Sequence, residues 1–121
     1  MERMGTFRVP IEIARLDGAR YERFEALVDT GSSNTALPAS TLRRLGVTPH
    51  KTAIFELADG RQVEMEIGRT WVRLNGAQEI TQVVFAEDGT EPLLGAITLE
   101  ELGFGVDPIG QVLIPVVRKR K

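Results

Sequence analysis

Phe7, Val9, Ile11 and Ile13 alternate with polar or turn residues, the two-residue period of a half-buried β-strand. A second strand is expected from about Tyr21 to Val28, with Asp17-Gly18 turning the chain between the two. The period then changes. Pro38 to Leu45 reads as a short helix with proline in its first turn and Gly46 as its stop. In "TAIFELADGRQVEMEIG" two β-rich runs meet at Asp59-Gly60, which predicts a hairpin with its tip at Ala58-Asp59-Gly60. Trp71 to Leu74, Ile80 to Phe85 and Val112 to Val117 supply further strands. Thr98 to Leu102 reads as a second helix, with a Thr98/Glu101 capping box and Gly103 as its stop. "GFGVDPIG" (103–110) lacks the GxGxxG spacing and follows a helix instead of opening one, so it reads as a turn rather than a phosphate loop. The pattern is that of a mainly β domain with two short helices.

"LPASTLRRLGV" (37–47) and "LGAITLEELGF" (94–104) align without gaps, matching at Leu, Ala, Thr, Leu, Leu and Gly. Short amphipathic helices ending in glycine resemble one another, but the match also fits a duplicated strand-turn-strand-helix unit. Extended backwards, the offset places Leu27 and Val28 on Val84 and Phe85, and Asp29 on Ala86. The second half has the frame without the acid.

Composition narrows the chemistry. At 121 residues, a single domain is expected over the whole chain. A charge of -2 with 26% charged residues gives no nucleic-acid footprint, and no run approaches the length that spans a bilayer. Four basic residues at the end, Arg118 to Lys121, read as a solvated tail. The absence of cysteine removes thiol nucleophiles and Cys-ligated zinc, and fits a cytoplasmic protein. His50 is the only histidine, in the loop-like stretch Val47 to His50, which leaves little for a histidine triad or a multi-histidine metal site.

The remaining chemistry lies in "ALVDTGSSNTALP" (26–38), where an apolar strand runs straight into an acid, a glycine and small hydroxyl residues. Asp29 is either turn punctuation or a carboxylate that the strand aims. A carboxylate pair needs these residue types. Gly31 permits close backbone approach by a second copy of the loop, and Thr30 and Ser32 carry hydroxyls that can hold carboxylates in place. Two carboxylates roughly 3 Å apart share one proton, so the pair contains a base and an acid without metal, cofactor or histidine. Ser33, Asn34 and Thr35 continue the loop in support, and Trp71 reads as a packing residue.

At these residues the chain resembles the retropepsin-like aspartic proteases, the single-lobe homodimeric relatives of pepsin, and especially their small prokaryotic members. The likeness rests on "ALVDTGSSNTALP", "FELADGRQVEM" and "EPLLGAITLEELGFGVDP". It implies a closed acid-protease β-barrel with a flap hairpin, a homodimer with Asp29 of each subunit at the interface, and hydrolysis of peptide substrates. It further implies that Thr30 forms a reciprocal hydroxyl grip across the dimer, Gly31 lines the substrate backbone and Ser32 bonds the Asp29 carboxylate. Leu94-Gly95 would sit behind the dyad and Ala58-Asp59-Gly60 would form the flap tip. Ala96-Ile97 stands where retroviral members often carry Arg-Asn or Arg-Asp, so a dimer contact through that arginine is not implied. Two other readings stay open: a non-catalytic dimeric module that binds extended peptides in the same cleft, and a monomeric β domain in which Asp29 merely ends a strand.

Overall fold

The alternation along the first strands puts Ile11, Ile13, Ala26 and Val28 inside with no exposed surface. In a computed structural model, which describes residues 7–107 and 109–116, these belong to β1 (Phe7–Ala14) and β2 (Glu22–Val28), paired antiparallel from Phe7↔Val28 to Ile13↔Glu22. The chain continues through β3 (Thr35–Pro38), α1 (Ala39–Arg44), β4 (Pro49–Glu56), β5 (Gln62–Leu74), β6 (Ala77–Ala86), β7 (Leu93–Leu94) and α2 (Ala96–Leu102). It ends in a separate hairpin of β8 (Phe104–Asp107) and β9 (Val112–Pro115).

The main sheet runs β1-β2-β7-β3-β6-β5-β4, and a further pairing of β1 with β5 closes six of these strands into a barrel. Closure rests on three rungs, Glu12↔Arg73, Ile13↔Val72 and Ala14↔Trp71. Closing a sheet removes the unpaired edges that otherwise invite association. β4 stays outside the ring and pairs with β5 alone, so the β4–β5 hairpin projects from the barrel.

The internal repeat is visible in the register. Leu27 and Val28 of β2 lie parallel beside Leu93 and Leu94 of β7. Shifted by the sequence offset of the two halves, those pairs become Val84 beside Ala36 and Phe85 beside Leu37, which are rungs of the parallel β3–β6 pair. Ala36 pairs antiparallel with Leu93, its own counterpart, and so marks the pseudo-two-fold axis. The helices start at counterpart residues, Ala39 and Ala96. Leu37, Leu42, Leu94 and Leu99 pack in one core with the inner faces of β1 and β2. Each buried Leu or Ile contributes about 2 kcal/mol from apolar burial.

Several local expectations need correction. Pro38 caps α1 from outside instead of occupying its first turn, and the helix ends at Arg44. His50 is exposed, but it lies in β4, where pairing with β5 carries Pro49 onward into strand through a register shift between Pro49 and Lys51. Trp71 to Leu74 is the end of the 13-residue β5, and the half-buried Trp71 donates its indole N–H to the Leu16 carbonyl at 3.1 Å. Half of the expected 103–110 turn is β8, and the turn proper is held by Asp107, whose Oδ1 accepts from the N–H groups of Ile109 and Gly110. The Thr98/Glu101 capping box does not form, because α2 begins two residues before Thr98 and its cap is Gly95. The tail from Arg118 to Lys121 and the end of the predicted last strand at Val117 lie outside the described residues.

Candidate active site

β2 delivers Asp29 to the end of the pair it makes with β7. The Asp29 N–H donates to the Leu94 carbonyl at 3.1 Å, and the residue is buried, with 6% of its surface exposed. The chain then turns tightly: the Ser32 N–H donates to the Asp29 carbonyl at 3.1 Å, and the Gly31 N–H donates to Asp29 Oδ1 at 3.0 Å. A Cβ on Gly31 would stand 3.2 Å from Oδ1, so glycine leaves the carboxylate room. Thr30 and Gly31 are exposed in the single chain, while the Ser32 hydroxyl contacts the Asn34 carbonyl at 3.4 Å.

The second half of the repeat holds this loop. The first N–H groups of α2, on Ala96 and Ile97, donate to the carbonyls of Ser32 at 2.8 Å and Ser33 at 3.1 Å. Helix N-termini carry unpaired donors, and here the loop supplies the acceptors that a capping side chain would otherwise give. Gly95 is fixed by contact: a Cβ there would lie 2.5 Å from the carbonyl carbon and oxygen of Asn34. Leu94 and Gly95 are both buried behind the loop.

Behind Gly95 runs a chain of buried hydroxyls. The Gly95 N–H donates to Thr35 Oγ1 at 3.1 Å, and Thr35 donates to Thr98 Oγ1 at 2.6 Å. Thr98 and Thr81 are 3.1 Å apart, and Thr81 donates to Glu101 Oε1 at 2.6 Å. Oriented in one direction from Gly95 to Glu101, every member is satisfied. Thr98 and Glu101 are therefore linked through Thr81 inside the fold. Pairs separated by 60 residues or more, such as Gly95 with Thr35, have no signature in a single sequence.

The β4–β5 hairpin forms the other wall. Its tip is closed by Leu57 N–H to Arg61 carbonyl at 2.8 Å and Gly60 N–H to Leu57 carbonyl at 2.9 Å, with Gly60 at φ 86°. Asp59 accepts from the Arg61 N–H at 3.0 Å and from its guanidinium at 2.8 Å. That backbone N–H, followed by the guanidinium, holds the Asp59 carboxyl below its ordinary range. Ala58, Asp59 and Gly60 are exposed at the tip. Between hairpin and loop lies a cleft of about 450 Å³. Ser32, Asn34 and Ala36 line one side, Phe55, Leu57 and Met65 the hairpin side. Asp29 does not itself line this cleft; it precedes the lining residue Ser32 by three positions. The apolar cleft residues escaped the sequence reading, although the half-buried alternation of Ala53, Phe55 and Leu57 is the signal that could have found them.

No group of three or more His, Cys, Asp or Glu residues suited to a metal occurs among the described residues. Nor does any described helix have the length and apolarity to cross a membrane.

A closed barrel, an internal two-fold and an acid-bearing loop facing a projecting hairpin define the retropepsin-like acid-protease fold. Residues 15–101 match the family described as "gag-polyprotein putative aspartyl protease", and the chain belongs to that family. Among solved structures it is similar to EIAV protease complexed with the inhibitor HBY-793, with 19% identity, a TM-score of 0.60, and coverage of 80% of this chain and 88% of that one. The protease of simian foamy virus (mac) matches with 18% identity and a TM-score of 0.56 over 79% of this chain and 94% of the other. A retropepsin-like aspartic protease from Rickettsia conorii matches with 22% identity and a TM-score of 0.52 over 88% of this chain and 91% of the other. No curated protein matches the sequence significantly.

Proposed function

We propose that the protein is an aspartic endopeptidase acting as a homodimer, with the Asp29 carboxylates of two chains forming one catalytic pair. The observation that carries this reading is the placement of Asp29: a buried carboxylate, held by the Gly31 N–H, in a loop whose next two residues remain exposed. Within one chain the counterpart of Asp29 is Ala86. The second acid therefore comes from a second copy.

Two such carboxylates share a proton, because like charges at this separation cannot both persist. The ionised member removes a proton from a water whose oxygen attacks the peptide carbonyl carbon, while the protonated member donates to the carbonyl oxygen. The tetrahedral intermediate then collapses: the C–N bond breaks, the nitrogen takes a proton from the pair, and one of the intermediate's two hydroxyls returns its proton to the pair as the carbonyl of the acid forms. An acid and an amine leave, and the pair returns to its one-proton state. Thr30 of each chain grips the other loop through its hydroxyl, Gly31 lies along the substrate backbone and Ser32 steadies the carboxylate. Leu94-Gly95 backs the pair. The hairpin tip at Ala58-Asp59-Gly60 closes over an extended peptide, which is held mainly by its main chain.

The test is to incubate the protein and its Asp29→Asn variant with a diverse peptide mixture, from mildly acidic to neutral pH, and read products by mass spectrometry. Cleavage by the parent alone is expected. Equal cleavage by the variant overturns the mechanism, and a dimer that cleaves nothing in either form favours a peptide-binding module.

A further inference from the structure

We propose that the cleft selects peptides in which lysine or arginine stands beside an apolar side chain. This substrate class rests on the extended-peptide reading given above and names what the cleft would prefer. Its floor is apolar, built from Phe55 and Met65 of the hairpin and from Val84 and Leu93 of the barrel. Four ionisable side chains complete the lining: Glu56, Arg61, Glu87 and Glu91.

Two of the four are already matched. Arg61 donates to Asp59 at 2.8 Å, and Glu91 accepts both guanidinium bonds of Arg8 at 2.9 Å. Those pairs are exposed and add little stability, but each offsets its own charge locally. Glu56 and Glu87 make no ion pair among the described residues. Glu56 ends β4 in the hairpin wall, and Glu87 follows β6 in the facing wall. An extended peptide between the walls thus meets an apolar floor with one exposed acidic residue along each wall, Glu56 and Glu87. Alternate side chains of a strand point in opposite directions, so an apolar residue can enter the floor while a neighbouring basic side chain reaches a wall. A peptide with acidic neighbours would face like charge at the same positions. In a homodimer both copies contribute these carboxylates, so the preference applies on both sides of the cut bond.

The test uses two fluorescent peptides with one shared apolar centre, flanked by lysines in one and glutamates in the other. Fluorescence anisotropy with the Asp29→Asn protein reads binding without turnover, and competition between the unlabelled peptides reads kcat/KM with the parent protein. We expect roughly tenfold tighter binding of the lysine peptide from the two carboxylates together. The difference should shrink toward equality in about 1 M salt, where exposed charges are screened within a few ångströms. Combining Glu56→Gln with Glu87→Gln should reduce the preference to under about twofold. Equal binding, tighter binding of the glutamate peptide, no binding of either, or a preference unchanged by the double substitution overturns the inference. The two hypotheses fail separately. Lysine-selective binding without cleavage would keep the groove and remove the catalysis, whereas cleavage without charge preference would do the reverse.

Discussion

The Asp29 N–H donates to the Leu94 carbonyl at 3.1 Å, so the acid of the first half hangs on the strand of the second half. The tie is reinforced one turn further on, where Ala96 and Ile97 donate to the carbonyls of Ser32 and Ser33. The half without an acid is therefore the mount for the half that has one. Substitutions there should act on the site without touching the carboxylate.

Gly95→Ala is the sharpest case. Its methyl group would lie 2.5 Å from the Asn34 backbone, which cannot rotate away as a side chain could. A loss of about 3 kcal/mol or more in folding stability is expected, read by urea denaturation. A variant with parent stability would contradict the close contact.

Thr98→Val removes the middle hydroxyl of the buried chain from Thr35 to Glu101 while keeping the side-chain volume. The Thr35 and Thr81 hydroxyls each lose a partner in an interior that water does not reach. Destabilisation of about 1–3 kcal/mol is expected from thermal or urea melts. Thr98→Ser, which retains the hydroxyl, should recover most of the hydrogen-bond contribution.

Mixing parent protein with excess Asp29→Asn chains tests the shared pair directly. Random exchange at about ninefold excess leaves roughly one parent chain in ten with a parent partner, so activity per parent chain should fall about tenfold. Unchanged activity after full subunit exchange would show that one carboxylate suffices.

Acid should weaken the fold in a predictable window. Asp88 is held below its ordinary value of 3.8, first by the Ser40 N–H at 2.9 Å, and Asp59 likewise by the Arg61 N–H. A carboxylate depressed on folding stabilises the native state above its unfolded value, and that contribution is lost as pH falls through the folded one. Stability should therefore decline below about pH 4. Asp88→Asn, which keeps an acceptor but does not titrate there, should flatten the slope in denaturation midpoints taken between about pH 2 and 5.

The sequence was most legible where local pattern and local geometry coincide. The strand into Asp29, the Asp59-Gly60 turn and the repeat of Leu37 to Val47 at Leu94 to Phe104 all appear in the structure. Thr98 and Glu101 were misread because the Ser/Thr-x-x-Glu spacing also occurs inside a helix, and the real acceptors at its start, Ser32 and Ser33, lie more than 60 residues away. The loop-like stretch Val47 to His50 hides the start of β4, where Pro49 and Lys51 pair with Gly68 and Ile67 of β5 and His50 falls at the irregularity between them. The wall acids Glu56 and Glu87 carry no local mark, since only the folded hairpin brings them to one cleft.

Ala86, the silent counterpart of Asp29, bears on how such a chain could evolve. In the proposed homodimer each product of the gene is half an instrument, and any change to one wall of the groove is copied to the other when two products meet. A tandem fusion would break that constraint. With one acid inherited from each repeat of the fused gene, the two walls could drift independently, and the residues recognised before and after the cut could be tuned as separate traits.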